Sequence, residues 1–399
     1  MKLSRRTALA GGVIAALVVG GSVALTLALR SGGPARQARP TPSSSGPLAL
    51  SGPAVYIHYY LWWTPGHWRS TLGPSYPVAE AAAAIPPGGA PAAATPPTAG
   101  LPLPGSVASN GCGTGANYPG DSLLDLPAEG LYDQGSGATF DHHIDLAIKA
   151  SITGFLVDWQ GTGLPGQNPG SSGYNSRLDL MVKRVDAYNA AHHSHFSLGI
   201  AFAAFGNYNR PADQVGADLH YFVARYATDP AFRNPFSTEP VVMMMDSRKF
   251  PVATVAAAHA AVSSNVYLVG DETASSWSRD APYLDASSYY WSSENPYTNA
   301  RAQQSLTSLG TAVHNDGKRW FAPLIAGYDK QLQSGQCVPR NGLQTLDTLW
   351  QLNATSKPDG WFAISWNEFV ENTYLEPSVR YGSMYLEELT RLIREQTRG

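Results

Sequence analysis

At 399 residues the chain exceeds an average domain yet fits a single elaborated α/β barrel. Hydrophobic residues at 43% supply a large core, charged residues at 14% are sparse, and a net charge of −3 excludes nucleic acid as the main partner. Aromatics are plentiful, with 10 Trp, 20 Tyr and 12 Phe, and several fall just past apparent strand ends, where flat apolar rings suit stacking on sugar faces.

Residues 1–33 read as an export signal or an amino-terminal membrane anchor. Ser4-Arg5-Arg6-Thr7 precedes an uncharged run over 8–29, and the paired arginines resemble a twin-arginine signal. The run is also long enough to span a bilayer and no Ala-x-Ala site follows it directly, so an uncleaved membrane tether is the alternative. Both readings put the body outside the cytoplasm. Residues 34–52, rich in Pro, Ser and Gly, read as a disordered linker, and 53–399 as the catalytic domain. A first strand is expected over 54–60, followed by the aromatic cluster Leu61-Trp-Trp-Thr-Pro-Gly-His-Trp68. Residues 72–138, rich in Pro, Ala and Gly with little periodicity, read as a long excursion over the barrel mouth. The only cysteines, Cys112 and Cys337, are expected to form a disulfide between the first and seventh βα-loops, as suits an exported chain.

Strand and helix signals then alternate. Strands are expected over 152–159, 196–205, 239–246, 266–271, 286–291, 320–326 and 361–366. Helices are expected over 140–150, 215–226, 252–262, 300–313, 343–352 and 384–393, with a further one carrying Leu178, Met181, Val182, Val185 and Tyr188 on one face. The connection holding Trp277 and Tyr283 reads as short and irregular. Eight strands alternating with helices predict a (β/α)8 barrel, whose site gathers at the carboxyl ends of the strands. Those ends offer Tyr59, Tyr60, Asp158, Trp159, Asp246, Asp271, Glu272, Trp291, Tyr328, Asp329, Asn367 and Glu368. The loop after the first strand adds Trp62, Trp63, His67 and Trp68, and the stacking platforms are sought among Trp62, Trp63, Trp68, Trp159 and Trp291. An acidic and aromatic rim of this kind suits a carbohydrate cleft.

Other clusters read more plainly. His192, His193 and His195 fall between a helix and a strand, a solvated turn at the amino face of the barrel. His142 and His143 read as surface or capping residues at a helix start. Asp246, Asp271 and Glu272 lack the spacing of a defined cation loop, so neither a metal nor a cofactor is expected. There is no Walker loop, Gly-x-Ser-x-Gly elbow or dinucleotide fingerprint.

The densest chemistry lies in 360–377, where an apolar strand gives way to Asn367, Glu368, Glu371 and Glu376. Carboxylates at the mouth of a core repel one another and lose water, which separates their pKa values as acid/base work on a glycosidic bond requires. Ser365-Trp-Asn-Glu-Phe-Val-Glu-Asn-Thr-Tyr-Leu-Glu-Pro377, with Tyr381-Gly382 and Tyr385-Leu386, resembles glycoside hydrolase family 99. Ala322-Pro-Leu-Ile-Ala-Gly-Tyr-Asp329, Arg340 with Gly342, Val157-Asp-Trp159 and Tyr59-Tyr60 are similar to the family's pattern in the same order. The resemblance implies a (β/α)8 endo-α-mannosidase acting with retention on a polysaccharide or oligosaccharide. It also implies that Glu368 takes a proton from the sugar 2-hydroxyl, which attacks within the ring to give a 1,2-anhydro sugar, while Glu371 is the general acid. The chain departs from the family where Phe369-Val370-Glu371-Asn372 replaces Trp-His-Glu-Gly. The competing class is a non-catalytic glycan-binding or cell-envelope polysaccharide assembly protein on the same barrel.

Overall fold

The eight apolar runs pair in parallel and close on themselves in a computed structural model, which describes residues 47–50, 52–77, 101–162, 171–203, 210–290, 294–332 and 336–398. The strands in chain order are β1 (Ala54–Tyr59), β2 (Gly105–Val107), β3 (Gly113–Ala116), β4 (Gly154–Trp159), β5 (Ser197–Phe202) and β6 (Val241–Met244). They continue with β7 (Tyr267–Asp271), β8 (Ala286–Ser288), β9 (Arg319–Ile325), β10 (Tyr328–Asp329), β11 (Cys337–Val338) and β12 (Gly360–Ile364). Around the barrel the order is β1-β12-β9-β8-β7-β6-β5-β4, the single closed ring of a (β/α)8 fold. β12 therefore stands between β1 and β9.

Strands covered on both faces read as continuous apolar runs, which is why they were legible. Alternation divides them between two cores. Tyr56, Leu156, Ala201, Met243, Val269, Ala286, Phe321 and Phe362 fill the barrel. Val55, Ile57, Tyr59, Val157 and Trp159 face outward, against helices that include Gly137–Lys149, Ser171–His192, Ala212–Tyr226 and Val252–Val262. The piece with Trp277 is more regular than expected. Ala274–Asp280 is a helix whose Thr273 and Ser276 form a reciprocal capping box, followed by one 3-10 turn at Ala281–Tyr283.

The first loop is also more ordered than its composition suggests. Thr64 caps a helix at Pro65–Leu72, with its hydroxyl accepting from His67 N and Pro65 in the first turn. β2 and β3 pair antiparallel beyond it. Trp63, Trp68, Leu72, Tyr76, Leu126, Leu131 and Tyr132 of this region pack with Phe369 and Tyr374 into a separate small core. Antiparallel β10 and β11 lie in the loop after β9. Cys112 and Cys337 are bonded, with 6.0 Å between their Cα atoms, so the staple joins the first and seventh loops across the exit of β12. At Leu48 the backbone N–H donates to Asn234 O at 3.0 Å, so the chain already touches the body ahead of residue 53. Residues 1–33 and Trp291 lie outside the described residues.

Candidate active site

β12 ends at Ile364, and the chain turns at once. Val370 N and Glu371 N both donate to Glu368 Oε1, at 2.8 and 3.2 Å, and Thr373 N donates to Glu368 O at 3.1 Å. This turn brings Glu368 and Glu371 to one side, where a continued strand would have sent them to opposite faces. Asn372 has φ 54°, in the left-handed region. Asparagine tolerates that region better than most residues, and the resembled pattern has glycine there, the residue that enters it most freely. Phe369, in the family's Trp position, stacks on Tyr374 at 4.2 Å. Val370 brings an aliphatic side chain where the pattern has histidine.

The turn is held from both flanks. Fully buried Arg340 donates through Nη2 to Asn372 O at 2.8 Å and to Tyr374 O at 3.0 Å. Its guanidinium lies 4.4–5.0 Å from the ring centroids of Tyr374, Tyr381 and Tyr385. Gly111 of the first loop comes so close that an added Cβ would sit 2.9 Å from Arg340 Cβ. Asp329 N donates to Glu371 O at 2.8 Å, and Lys330 Nζ lies 3.4 Å from Glu371 Oε1.

Around the two glutamates the inward-facing residues converge. The Tyr60 and Tyr290 hydroxyls touch each other, and the charges of Glu371, Glu368 and Asp158 all act on both phenols. Burial, reinforced by that charge, holds both phenols far above their ordinary range. Burial likewise pushes Asp158 up to about 7, with Glu371 adding to the rise. Glu368 is held well above the usual carboxylate range by burial and then by the Glu371 charge. Glu371 is raised by burial as well, but Lys330 opposes the rise. Both carboxyls are thus held above their ordinary range, by burial first, with the Glu371 charge adding to the rise of Glu368 and Lys330 opposing that of Glu371. Tyr328 is pushed up to about 12 by burial and the same two glutamates. Beneath the pair, His58 is buried on the inner face with its ring 5.0 Å from that of Tyr290, and desolvation lowers it to about 3, so it is neutral.

Several expected substrate contacts are placed otherwise. Tyr59, Trp63, Trp68 and Trp159 are fully buried and present no face to a sugar. Tyr59 points outward and its hydroxyl meets His143 Nδ1 at 2.7 Å; Trp159 Nε1 donates to Asn175 Oδ1 at 2.9 Å. Trp63 stacks on Trp68 at 3.7 Å in the small core. Asn367 spends both ends of its amide on the Tyr60 backbone, at 2.8 and 3.0 Å, and so clamps β1 to the turn. Asp246 is occupied by Arg248 at 2.7 Å and Lys249 at 2.9 Å. Trp62 is half-buried; it stacks on Tyr60 at 4.5 Å and lies 5.8 Å from the His67 ring. Burial, with the Arg177 charge, lowers His67 to about 4.

Sequence reasoning missed Tyr290, Lys330 and His58. Strand parity could have found two of them: Tyr56, His58 and Tyr60 alternate inward, as do Ala286, Ser288 and Tyr290. Lys330 carried no such signal, since it follows a strand end in an irregular loop. His143 corrects a further expectation: it is buried, not a surface residue.

No family model matches the chain, and no curated protein does. Solved structures do match. An endo-alpha-mannosidase of glycoside hydrolase family 99 from Bacteroides thetaiotaomicron, in complex with bis-tris-propane, is 17% identical with a TM-score of 0.61, over 86% of this chain and 98% of that one. A second structure of that protein gives 18% and 0.60, over 86% and 97%. A glycoside hydrolase-like protein gives 15% and 0.52, over 67% and 89%. At these identities the likeness is one of fold: this chain shares the barrel of those proteins along most of its length.

Proposed function

We propose that the protein is a retaining endo-glycosidase that hydrolyses an α-linked, mannan-like polysaccharide outside the cytoplasm. The observation that carries this reading is the pair Glu368 and Glu371, three residues apart on a tight turn, both held above the ordinary carboxylate range at the mouth of a barrel. Two carboxyl groups that cannot both ionise freely provide one acid and one base at neutral pH. Tyr60, Tyr290 and Asp158 complete a polar, aromatic surface for a sugar ring, and Trp62 offers its stacking edge. Glu368 takes the proton of the sugar 2-hydroxyl, and the oxygen so freed attacks the anomeric carbon from within the ring. Glu371 protonates the departing oxygen and afterwards deprotonates the water that opens the 1,2-anhydro sugar. Export is read from Arg5-Arg6 and the apolar run after them, and the Cys112–Cys337 bridge suits an oxidising compartment. Residues 1–33 then serve as signal or anchor, 34–52 as linker and 53–399 as the catalytic body.

Incubating the protein with α-mannans and α-glucans while measuring released reducing ends tests this reading. Internal cleavage of an α-mannan with an α-configured first product is the expected result. Binding to these glycans without any turnover would overturn it in favour of a non-catalytic glycan-binding or envelope-assembly protein.

A further inference from the structure

A second carboxylate cluster lies behind the first loop and takes no part in the mechanism above. Glu376, at the end of the turn segment, and Glu129, from the first loop, both face His143 on the helix Gly137–Lys149. Ligand atoms of the three residues lie within 4.8 Å of one another. His143 and Glu376 are 1% and 3% exposed. Glu376 Oε2 is buried and lies 3.3 Å from His143 Nε2, which also contacts Glu129 Oε1 directly. His142 Nε2 stands 3.8 Å from Glu129 Oε2 at the more exposed side. Among the described residues no lysine or arginine pairs with either glutamate. Two carboxylates turned toward one imidazole leave a buried excess of negative charge, which is costly unless a cation or protons neutralise it.

We propose that Glu129, His143 and Glu376, with His142 at the open side, form a structural site for a zinc-like divalent cation. Donors that each lie about 2.0–2.2 Å from a tetrahedral ion stand about 3.4 Å apart, close to the separation of His143 Nε2 and Glu376 Oε2, whereas Glu129 Oε1, in direct contact with Nε2, must draw back to admit the ion. With hydrogen on Nδ1, donated to the Tyr59 hydroxyl at 2.7 Å, the Nε2 lone pair faces both carboxylates. Tyr132 donates its hydroxyl to Glu376 Oε1 at 3.0 Å, orienting the other carboxylate. Mixed nitrogen and oxygen donors favour zinc over magnesium. The ion would tie the end of the turn segment to the first loop and a barrel helix. The inference is independent of the hydrolase reading.

The test uses the full, untagged chain, stripped with a chelator and then titrated with zinc chloride. Metal content is read by mass spectrometry, and the melting temperature is followed in parallel. The expected result is about one zinc retained per chain, with a rise in melting temperature that magnesium chloride does not reproduce. Glu376→Gln should abolish retention while His192, His193 and His195 remain as exposed surface histidines, which separates the site from adventitious binding. His142→Ala, a change at the exposed donor that the fold should tolerate, is expected to weaken zinc binding roughly tenfold. Retention below about a tenth of an equivalent with an unmoved melting temperature would overturn the proposal, leaving protons alone to balance the cluster. Undiminished retention in both variants would overturn it as well.

Discussion

Tyr59 and Tyr60 are adjacent, chemically identical and both buried, yet they belong to different parts of the molecule. Tyr59 points away from the barrel axis to His143, and Tyr60 points inward to Tyr290 and the glutamate pair. The same division runs round the rim, with Trp159 outside and Asp158 inside. Closeness to a strand end therefore places a residue at the mouth, but parity along the strand decides whether it meets the substrate or the helices. Outer residues should matter for stability, and inner ones for turnover.

The largest expected effect lies on the inner side. Glu368→Gln should lower turnover on an α-mannan by roughly 10²–10⁴-fold with the melting temperature held, because the change removes a proton-transfer group and no packing. Glu371→Gln should lose as much on natural substrates but keep most of its first-step rate on an activated aryl glycoside; equal losses on both would exchange or remove its role. The small core offers the converse. Trp63→Ala should cost about 3–5 kcal/mol of stability, read by denaturant unfolding, whereas Trp62→Ala should raise KM and leave unfolding nearly unchanged. If both behave alike, the division fails at this corner.

Asp158 sharpens the comparison through pH. Its folded pKa of about 7 lies above the unfolded value, so folding favours the neutral acid. Stability from this group is whole below about pH 4 and is lost as pH rises toward 7. Asp158→Asn should then melt higher than the parent at pH 8 and equally near pH 4, as calorimetry at both pH values would reveal. The smallest effect is at Lys330. Lys330→Met removes the cation that opposes the rise of Glu371, so the Glu371 pKa should climb further. If Glu371 is the acid, the alkaline limb of the rate profile moves upward; movement of the acid limb instead would make it the base.

Much of the fold was legible because buried parallel strands and amphipathic helices carry their own periodicity. Val252–Val262 lies where its pattern placed it, and β12 ends two residues before its expected limit. The helix Ala274–Asp280 was hidden because its serines read as loop, and only its reciprocal caps, a feature of side-chain geometry, reveal it. Glycine-rich β2 and β3 left no alternation to read. At the candidate site the glutamate turn was visible as a contiguous motif. Tyr290 was legible only through the alternation of its strand, and Lys330 not at all, because it reaches Glu371 from an irregular loop through a contact that no local pattern encodes. In the sequence Arg340 stands out only through the resemblance; its burial among three tyrosines gives it a physical task.

The left-handed turn at Asn372 separates the shape of the catalytic segment from its contents. Asn372 takes a left-handed φ where the related pattern has glycine, while Phe369 and Val370 stand where it has tryptophan and histidine. Residue 370, partly buried at the edge of the small core, holds the loop through packing and not through a side-chain hydrogen bond, so an apolar side chain of similar size fits there without recasting the loop that carries the glutamates. On the proposed reading, exchanges at residue 370 alter the surroundings of the glutamate pair while the turn that carries the pair keeps its register.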